Sequence, residues 1–302
     1  MATGRGSTGP TKRDRREEAR ETARRMREEE AKKAKRRKIV VQSSVIVGVI
    51  AVLAIIGVVI FTTVGTGGGA AANPKNMASG GIVLTAPDKA VSTPAIKSGA
   101  QPTPTKMELD GKTAHIQIWL DYQCPYCDQF ETTNDDQIKQ WLSDGSATLE
   151  IHPVAILDSA QNQQYSTRAG AAASCVANSE PSKFWDINSA LFAKQPDEQT
   201  GTGLTNSEIL SIFKDAGVDS KAVTDCVNKQ TFADFVTNMT SDATKNSQLK
   251  NPTSGGFGTP TVFVNGERYQ GGFTDAAQFA AFKDAAVKDA GSGKTITFPT
   301  SN

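Results

Sequence analysis

The sequence predicts an α/β domain with a helical block inserted into its sheet, standing behind a single N-terminal transmembrane helix. Three observations predict it. A strand pattern over residues 114–121 runs directly into Cys124-Pro125-Tyr126-Cys127 and then into a helical pattern. A second β run opens at Thr259-Pro260 and turns back at Asn265-Gly266. Residues 45–61 are seventeen consecutive apolar or glycine residues, and the uncharged stretch extends to Val64.

The membrane segment comes first in the chain. Twenty residues make about 30 Å of helix, enough to cross a bilayer core. A buried core helix would carry a polar face, and this stretch has none. Lys32, Lys33, Lys35, Arg36, Arg37 and Lys38 precede it, and little charge follows before Asp88. The positive-inside rule then places the N-terminus in the cytoplasm and the rest of the chain outside. Cleavage of a signal peptide near Ala70-Ala71-Ala72 is the alternative. The apolar stretch and the segment before it are long for that, which favours an uncleaved anchor.

Charge is segregated along the 302 residues. Residues 1–38 hold 15 basic and 7 acidic side chains, a net of +8, and the remainder holds 18 and 25, a net of −7. A basic tail on an acidic body suits a membrane-oriented protein and not a nucleic-acid binder. The tail alternates charge without an apolar stripe, so it reads as solvated, with its last turns able to meet anionic lipid. Residues 65–105 are rich in Gly, Ala, Pro, Ser and Thr and read as an extracytoplasmic spacer, with Ile82-Val83-Leu84 as one short strand within it.

Residues 106–302 remain as one domain with room for a substantial core. A strand over 114–121 places Ile116, Ile118 and Leu120 on one face. A helix follows to about Leu142, then a strand over 147–156. Residues 157–250 read as a mostly helical insertion, with spacings such as Phe184/Ile187/Leu191 and Ile209/Leu210/Phe213. Residues 261–264 form a short strand, Asn265-Gly266 a hairpin turn, and residues 274–290 a final helix.

Cys124 and Cys127 carry the chemistry. Two intervening residues let the sulfurs close a disulfide across the first turn of a helix. Unpaired N–H groups and the positive end of the helix dipole stabilise a thiolate there. Pro125 fits the first helical position, where no N–H is needed. Cys124 is thus the exposed nucleophile and Cys127 the buried resolving thiol. Half a zinc site and an inert pair are the competing readings. Zinc asks for a second close pair or nearby histidines. The other cysteines, Cys175 and Cys226, lie 48 and 99 residues beyond Cys127, and the two histidines, His115 and His152, read as structural strand residues. Thr259-Pro260 alone is a strand-start proline. Beside a redox-type pair it becomes a cis-proline loop facing the sulfurs, able to offer the backbone of residue 259 to a substrate strand.

Residues 121–127, Asp-Tyr-Gln-Cys-Pro-Tyr-Cys, and 258–266, Gly-Thr-Pro-Thr-Val-Phe-Val-Asn-Gly, resemble the DsbA-like branch of the thioredoxin superfamily in its membrane-anchored actinobacterial form. The likeness spans about residues 106–290. It implies a thioredoxin fold with a helical insertion and disulfide exchange with exported proteins. Pro125, Tyr126, Thr259 and Pro260 would then face the substrate. No cofactor is expected beyond the Cys124–Cys127 disulfide. The expected partners are exported proteins with free thiols, a membrane reoxidant and, through the anchor, lipid. One departure stands out. Relatives often carry a buried acid six residues before the first cysteine, and Ile118 holds that place here. Asp121 is expected at the strand end, in water, so no carboxylate base is assigned. Cys175 and Cys226, in separate helical segments, are expected to form a structural disulfide, with two buried thiols or a second redox centre as alternatives. The motif leaves the direction open between a dithiol oxidase and an isomerase or reductase. A client-binding module without turnover is the reading from a different class.

Overall fold

The structure, a computed structural model, describes residues 72–198 and 201–299. The basic tail (1–38), the expected transmembrane helix (39–64) and the start of the expected spacer (65–71) lie outside the described residues. No helix among the described residues is long and apolar enough to cross a membrane.

The strands are β1 (Ile82–Ala86), β2 (Lys89–Ala90), β3 (Lys106–Asp110), β4 (Ala114–Leu120), β5 (Ala147–Pro153), β6 (Thr261–Val264), β7 (Glu267–Arg268) and β8 (Ser292–Thr297). The helices are α1 (Pro125–Asp144), α2 (Tyr165–Ser179), α3 (Phe184–Ala193), α4 (Asn206–Asp215), α5 (Lys221–Asn228), α6 (Ala233–Lys245) and α7 (Ala276–Ala290). Six strands form a mixed sheet in the order β2-β1-β5-β4-β6-β7. β4 and β5 run parallel, from Ala114 opposite Ala147 to Leu120 opposite Pro153, with α1 as the crossover between them. β6 returns antiparallel to β4, placing Ile116 opposite Val264.

β4 is covered on both faces, and every side chain from Ile116 to Leu120, Gln117 included, is buried. Ile116, Ile118 and Leu120 join a core with Phe130, Ile138 and Leu142 of α1 and Phe279 of α7. On the opposite face Trp119 packs with Phe263, Ala243 of α6 and Leu249. Each large apolar side chain buried in this way stabilises the fold by about 1.5–3 kcal/mol. α1 stops at Gly145, whose φ of 76° suits a residue without a Cβ. The Asn265-Gly266 turn has φ values of 52° and 82°, the left-handed pair that matches the twist of a tight hairpin. Asn265 also accepts the His115 N–H through Oδ1 at 2.8 Å, tying the turn to β4.

Two expectations need correction. The spacer does not hold for the described part of residues 65–105. β1 lies antiparallel to β5 along residues 82–84 and extends the main sheet. Met77, Ile82 and Leu84 are fully buried, and the Asn76 amide donates to the Ala177 carbonyl at 2.8 Å. Frequent Gly and Pro prevent long elements there, but they do not prevent one short strand from capping a free sheet edge. The other concerns the end of the chain: the expected final helix is followed by β8, which pairs with β3 in a separate two-stranded sheet, with Met107 opposite Ile296. β3 alternates Met107 and Leu109 with charged residues over only five positions, and β8 is mostly polar and exposed, so the pair gives little sequence signal. β3 and β8 buttress the main sheet: His115 Nε2 lies 3.2 Å from the Glu108 carbonyl, and the Gln117 amide donates to the Phe298 carbonyl at 2.9 Å.

Helices α2 to α6 form the insertion between β5 and β6. α2 buries Ala169, Ala172, Ala173 and Val176, small residues that let its neighbours approach closely. Cys175 of α2 and Cys226 of α5 are joined by a disulfide, with Cα atoms 5.9 Å apart and a separation of 51 positions in sequence. Closing a loop of that size stabilises the fold by about 4 kcal/mol in the chain-entropy account. Replacing both residues, Cys175→Ala with Cys226→Ala, is expected to lower unfolding free energy by about 2–4 kcal/mol in a denaturant titration. The same variant should leave the titration of Cys124 where it is, because the bond joins α2 to α5 and neither cysteine bonds to the loop that carries Cys124.

Candidate active site

The end of β4 delivers the chain into a tight loop, Asp121 to Gln123, and then into α1. Cys124 is the N-cap of that helix and Pro125 its first residue. The loop is fixed from its own backbone: Cys124 N–H donates to the Asp121 carbonyl at 3.0 Å, and Gln123 N–H to Asp121 Oδ1 at 2.9 Å. Asp121 Oδ2 accepts the Leu157 N–H at 3.0 Å, at the entrance to the insertion.

Asp121 therefore differs from expectation. It is fully buried, not in water, because β4 ends beneath the insertion and not at the surface. Burial pushes its pKa up to about 6, against the opposing effect of the nearby Ser166 hydroxyl and of the Gln123 and Leu157 N–H groups that donate to it. It lies beside Cys127 and acts on that thiol electrostatically.

The two cysteines are free thiols in this structure. Their environments push them apart. Cys124 is held down to about 7, first by a hydrogen bond from the Cys127 thiol, then, against the cost of burial, by the Thr259 side chain and the N–H groups of Cys127 and Tyr126. Cys127 is pushed well up, first by burial, then by its hydrogen bond and charge interaction with Cys124. One sulfur is thus poised as a thiolate and the other as a thiol that supports it. Cys124 is itself only 4 % exposed, so it is less open than an exposed nucleophile. The reason is the loop before β6. The Thr259–Pro260 bond is cis, and the Thr259 carbonyl oxygen lies 3.3 Å from Cys124 Sγ. The Thr259 hydroxyl is buried with no other hydrogen bond and is available to the sulfur.

The structure thus gathers Cys124, Cys127, Thr259 and Pro260 into one place. Tyr126 stands beside them, 57 % exposed, with its ring 6.3 Å from that of Phe273. Cys175 and Cys226 lie apart, bonded within the insertion. His115 is held by Thr148 at 2.8 Å, and His152 stacks on Trp119 at 4.3 Å. Among the described residues no group of three His, Cys, Asp or Glu is placed to hold a metal.

The profile of the family described as "Thioredoxin" matches residues 111–284, more than half of the chain. The chain belongs to the thioredoxin family. Oxidised DsbA of Mycobacterium tuberculosis is 28% identical to this thioredoxin-family chain, with a TM-score of 0.52 over 68% of this chain and 92% of that one. The reduced disulfide bond oxidoreductase DsbG of the same organism is 30% identical, with a TM-score of 0.50 over 65% of this chain and 84% of that one. MdbA, a thiol-disulfide oxidoreductase of Corynebacterium diphtheriae, shares the fold at 19% identity, with a TM-score of 0.52 over 72% of this chain and 95% of that one. Among curated proteins, the serine/threonine-protein kinase PknE of Mycobacterium tuberculosis is 31% identical over 155 residues, 49% of this chain. The chain spans about a quarter of that relative's length, 26%. The matched thioredoxin domain is that of a protein thiol–disulfide oxidoreductase.

Sequence reasoning missed a buried polar chain beneath the site. Tyr122 Oη donates to Asn188 Oδ1 at 3.0 Å, and Asn188 Nδ2 donates to Glu131 Oε2 at 3.0 Å. Glu131 stands one turn after Cys127 on the buried side of α1. Burial, with the nearby charge of Asp135, pushes its pKa up to about 8. Only its position in the buried i, i+4 pattern after Cys127 could have pointed to it.

Two expectations follow for the reduced protein. Its alkylation by iodoacetamide should occur at Cys124, rise with pH through about 7 and then level off, with Cys127 unlabelled in a mass-spectrometric map. Thr259→Val should slow labelling at neutral pH by about threefold, since a third of a decade to one decade is the usual weight of one donor. Glu131 generates the other expectation. Its folded pKa is raised, so its contribution to stability is complete below the ordinary carboxylate range and is lost as pH rises through about 8. Asp121 acts in the same sense, but its window ends near 6. Between those two values Glu131→Gln should abolish a decline of about 3 kcal/mol, read from urea unfolding at several pH values.

Proposed function

We propose that the protein is an extracytoplasmic dithiol oxidase, anchored by residues 39–64, that introduces disulfides into exported proteins through Cys124 and Cys127. The observation that carries this reading is the opposed tuning of the two sulfurs under the Thr259 carbonyl. A client thiolate attacks Sγ of Cys124 in the Cys124–Cys127 disulfide. The client–Cys124 bond forms, and Cys127 leaves and takes up a proton. A second client thiolate then attacks the client sulfur of that mixed disulfide. The client disulfide forms, and Cys124 departs as a thiolate. Two electrons have passed to the pair, and a membrane reoxidant must remove them. A low leaving-group pKa speeds the second step and favours the reduced form of the enzyme, which makes the disulfide oxidising.

Pro125 and Tyr126 on one side and Thr259 and Pro260 on the other form the proposed client-binding rim. The Thr259 backbone offers main-chain recognition, which tolerates many client sequences. The location outside the membrane is supported by the basic tail before the apolar stretch and by the Cys175–Cys226 bond, which suits an oxidising compartment. No nucleic acid enters this reading.

A second reading is an isomerase or reductase on the same residues. It is favoured by the value for Cys124, about 7, which lies nearer to that of thioredoxin than to that of a strong oxidant. Redox equilibration with glutathione separates the two. A potential near −120 mV fits the oxidase, and one near −270 mV would replace it with the reductase. A Cys127→Ala variant should accumulate mixed disulfides with thiol-bearing clients, visible on non-reducing gels.

A further inference from the structure

The loop that presents Cys124 is held by more than its own backbone. Residues just beyond the end of α3, inside the helical insertion, reach back to it. Gln195 Nε2 donates to the Tyr122 carbonyl at 3.1 Å and to the Cys124 carbonyl at 3.0 Å. Gln123 Nε2 answers in the other direction, donating to the Pro196 carbonyl at 2.9 Å. The Gln195 N–H is itself tied to the Phe192 carbonyl at 2.9 Å, and the Phe192 ring lies 5.2 Å from that of Tyr122. Gln195 is therefore anchored to α3 before it reaches the loop.

The Cys124 carbonyl already begins the ladder of α1, accepting N–H bonds from Cys127 at 3.0 Å and Asp128 at 3.2 Å. Gln195 adds a third donor to that oxygen. Two consequences follow from elementary electrostatics. The extra donor offsets part of the negative end of the Cys124 carbonyl dipole. The bridge across residues 122 and 124 also fixes the N-cap conformation, φ −78° and ψ 118°, from which the sulfur meets the helix N–H groups and Thr259. Neither effect comes from the C-x-x-C pair or the Thr-Pro loop.

We propose that Gln195 is a positioning residue for Cys124, through which the helical insertion holds the reactive sulfur against its donors and sets how readily it leaves. The inference rests on the reading of Cys124 as the attacked sulfur. Gln195 does not touch the sulfur and acts through the two carbonyls. The titratable groups around the sulfur, Cys127 on its own helix and Asp121 beneath, are unchanged by substitution at residue 195.

The test uses the full chain with Gln195→Ala and Gln195→Glu. The second keeps the shape of the side chain and replaces its donor by an acceptor at neutral pH. The readouts are the ultraviolet titration of the Cys124 thiolate and the equilibrium constant with glutathione. Gln195→Ala should raise the titration midpoint by about half a pH unit and make the disulfide about threefold less oxidising, and Gln195→Glu by about one unit and tenfold. Melting of the oxidised and reduced forms supplies the control. A residue that merely supports the fold lowers both melting temperatures alike and leaves the thiolate and the equilibrium unmoved. That result, against a parent whose Cys124 titrates near neutrality, overturns the role of Gln195 alone. A parent whose Cys124 stays protonated into the alkaline range overturns the assignment of the site itself, and this inference with it.

Discussion

The structure depends on the hydrogen bonds that converge on one sulfur at the start of α1. A helix leaves its first N–H groups without partners, and here Cys124 Sγ stands among them, with the thiol of Cys127 beside it and the buried, unpartnered Thr259 hydroxyl within its reach. Everything else in the domain serves to hold that point still. β4 brings the loop to the right height, Pro125 starts the helix without needing a donor, and β6 carries the Thr259 carbonyl to 3.3 Å from the sulfur. The sheet register supports this, because β4 and β6 pair directly and their ends arrive together.

The insertion belongs to this machinery. It contributes Leu157, whose N–H binds the buried Asp121, and Asn188, which links Tyr122 to Glu131. It also contributes Gln195, which bridges the carbonyls on either side of Gln123. A buried polar network of this kind is costly when any member is left unsatisfied. The loop before Cys124 is thus gripped from the strand, from the helix and from the insertion at once. Buried acids beneath it, Asp121 and Glu131, lean toward their neutral forms because burial penalises their charges.

Much of this was readable from local chemistry. The junction of strand, Cys-Pro-Tyr-Cys and helix follows from residue types within a few positions of each other, and so does the Asn265-Gly266 turn. β1 was legible as three apolar residues, Ile82-Val83-Leu84, but its role was not, since pairing with β5 joins segments more than sixty residues apart in sequence. β3 and β8 are more distant still; β3 turns Met107 and Leu109 inward, but a five-residue alternation is too short to stand out, and β8 is mostly exposed. Asp121 was misplaced for a similar reason: an acid after a strand usually meets water, and only the packing of the insertion over that end buries it. Gln195 left no mark at all, because a glutamine beyond a helix end looks the same whether it bonds to water or to the carbonyls of a distant loop.

The bond between Cys175 and Cys226 has a consequence for how the protein comes into being. Both residues leave the ribosome as thiols, and the folded insertion holds them as one oxidised link between α2 and α5. Every new molecule must therefore lose two electrons and two protons at this pair before its insertion is complete. Its maturation therefore needs an oxidant for thiols in the compartment where it folds, whichever way Cys124 and Cys127 pass electrons.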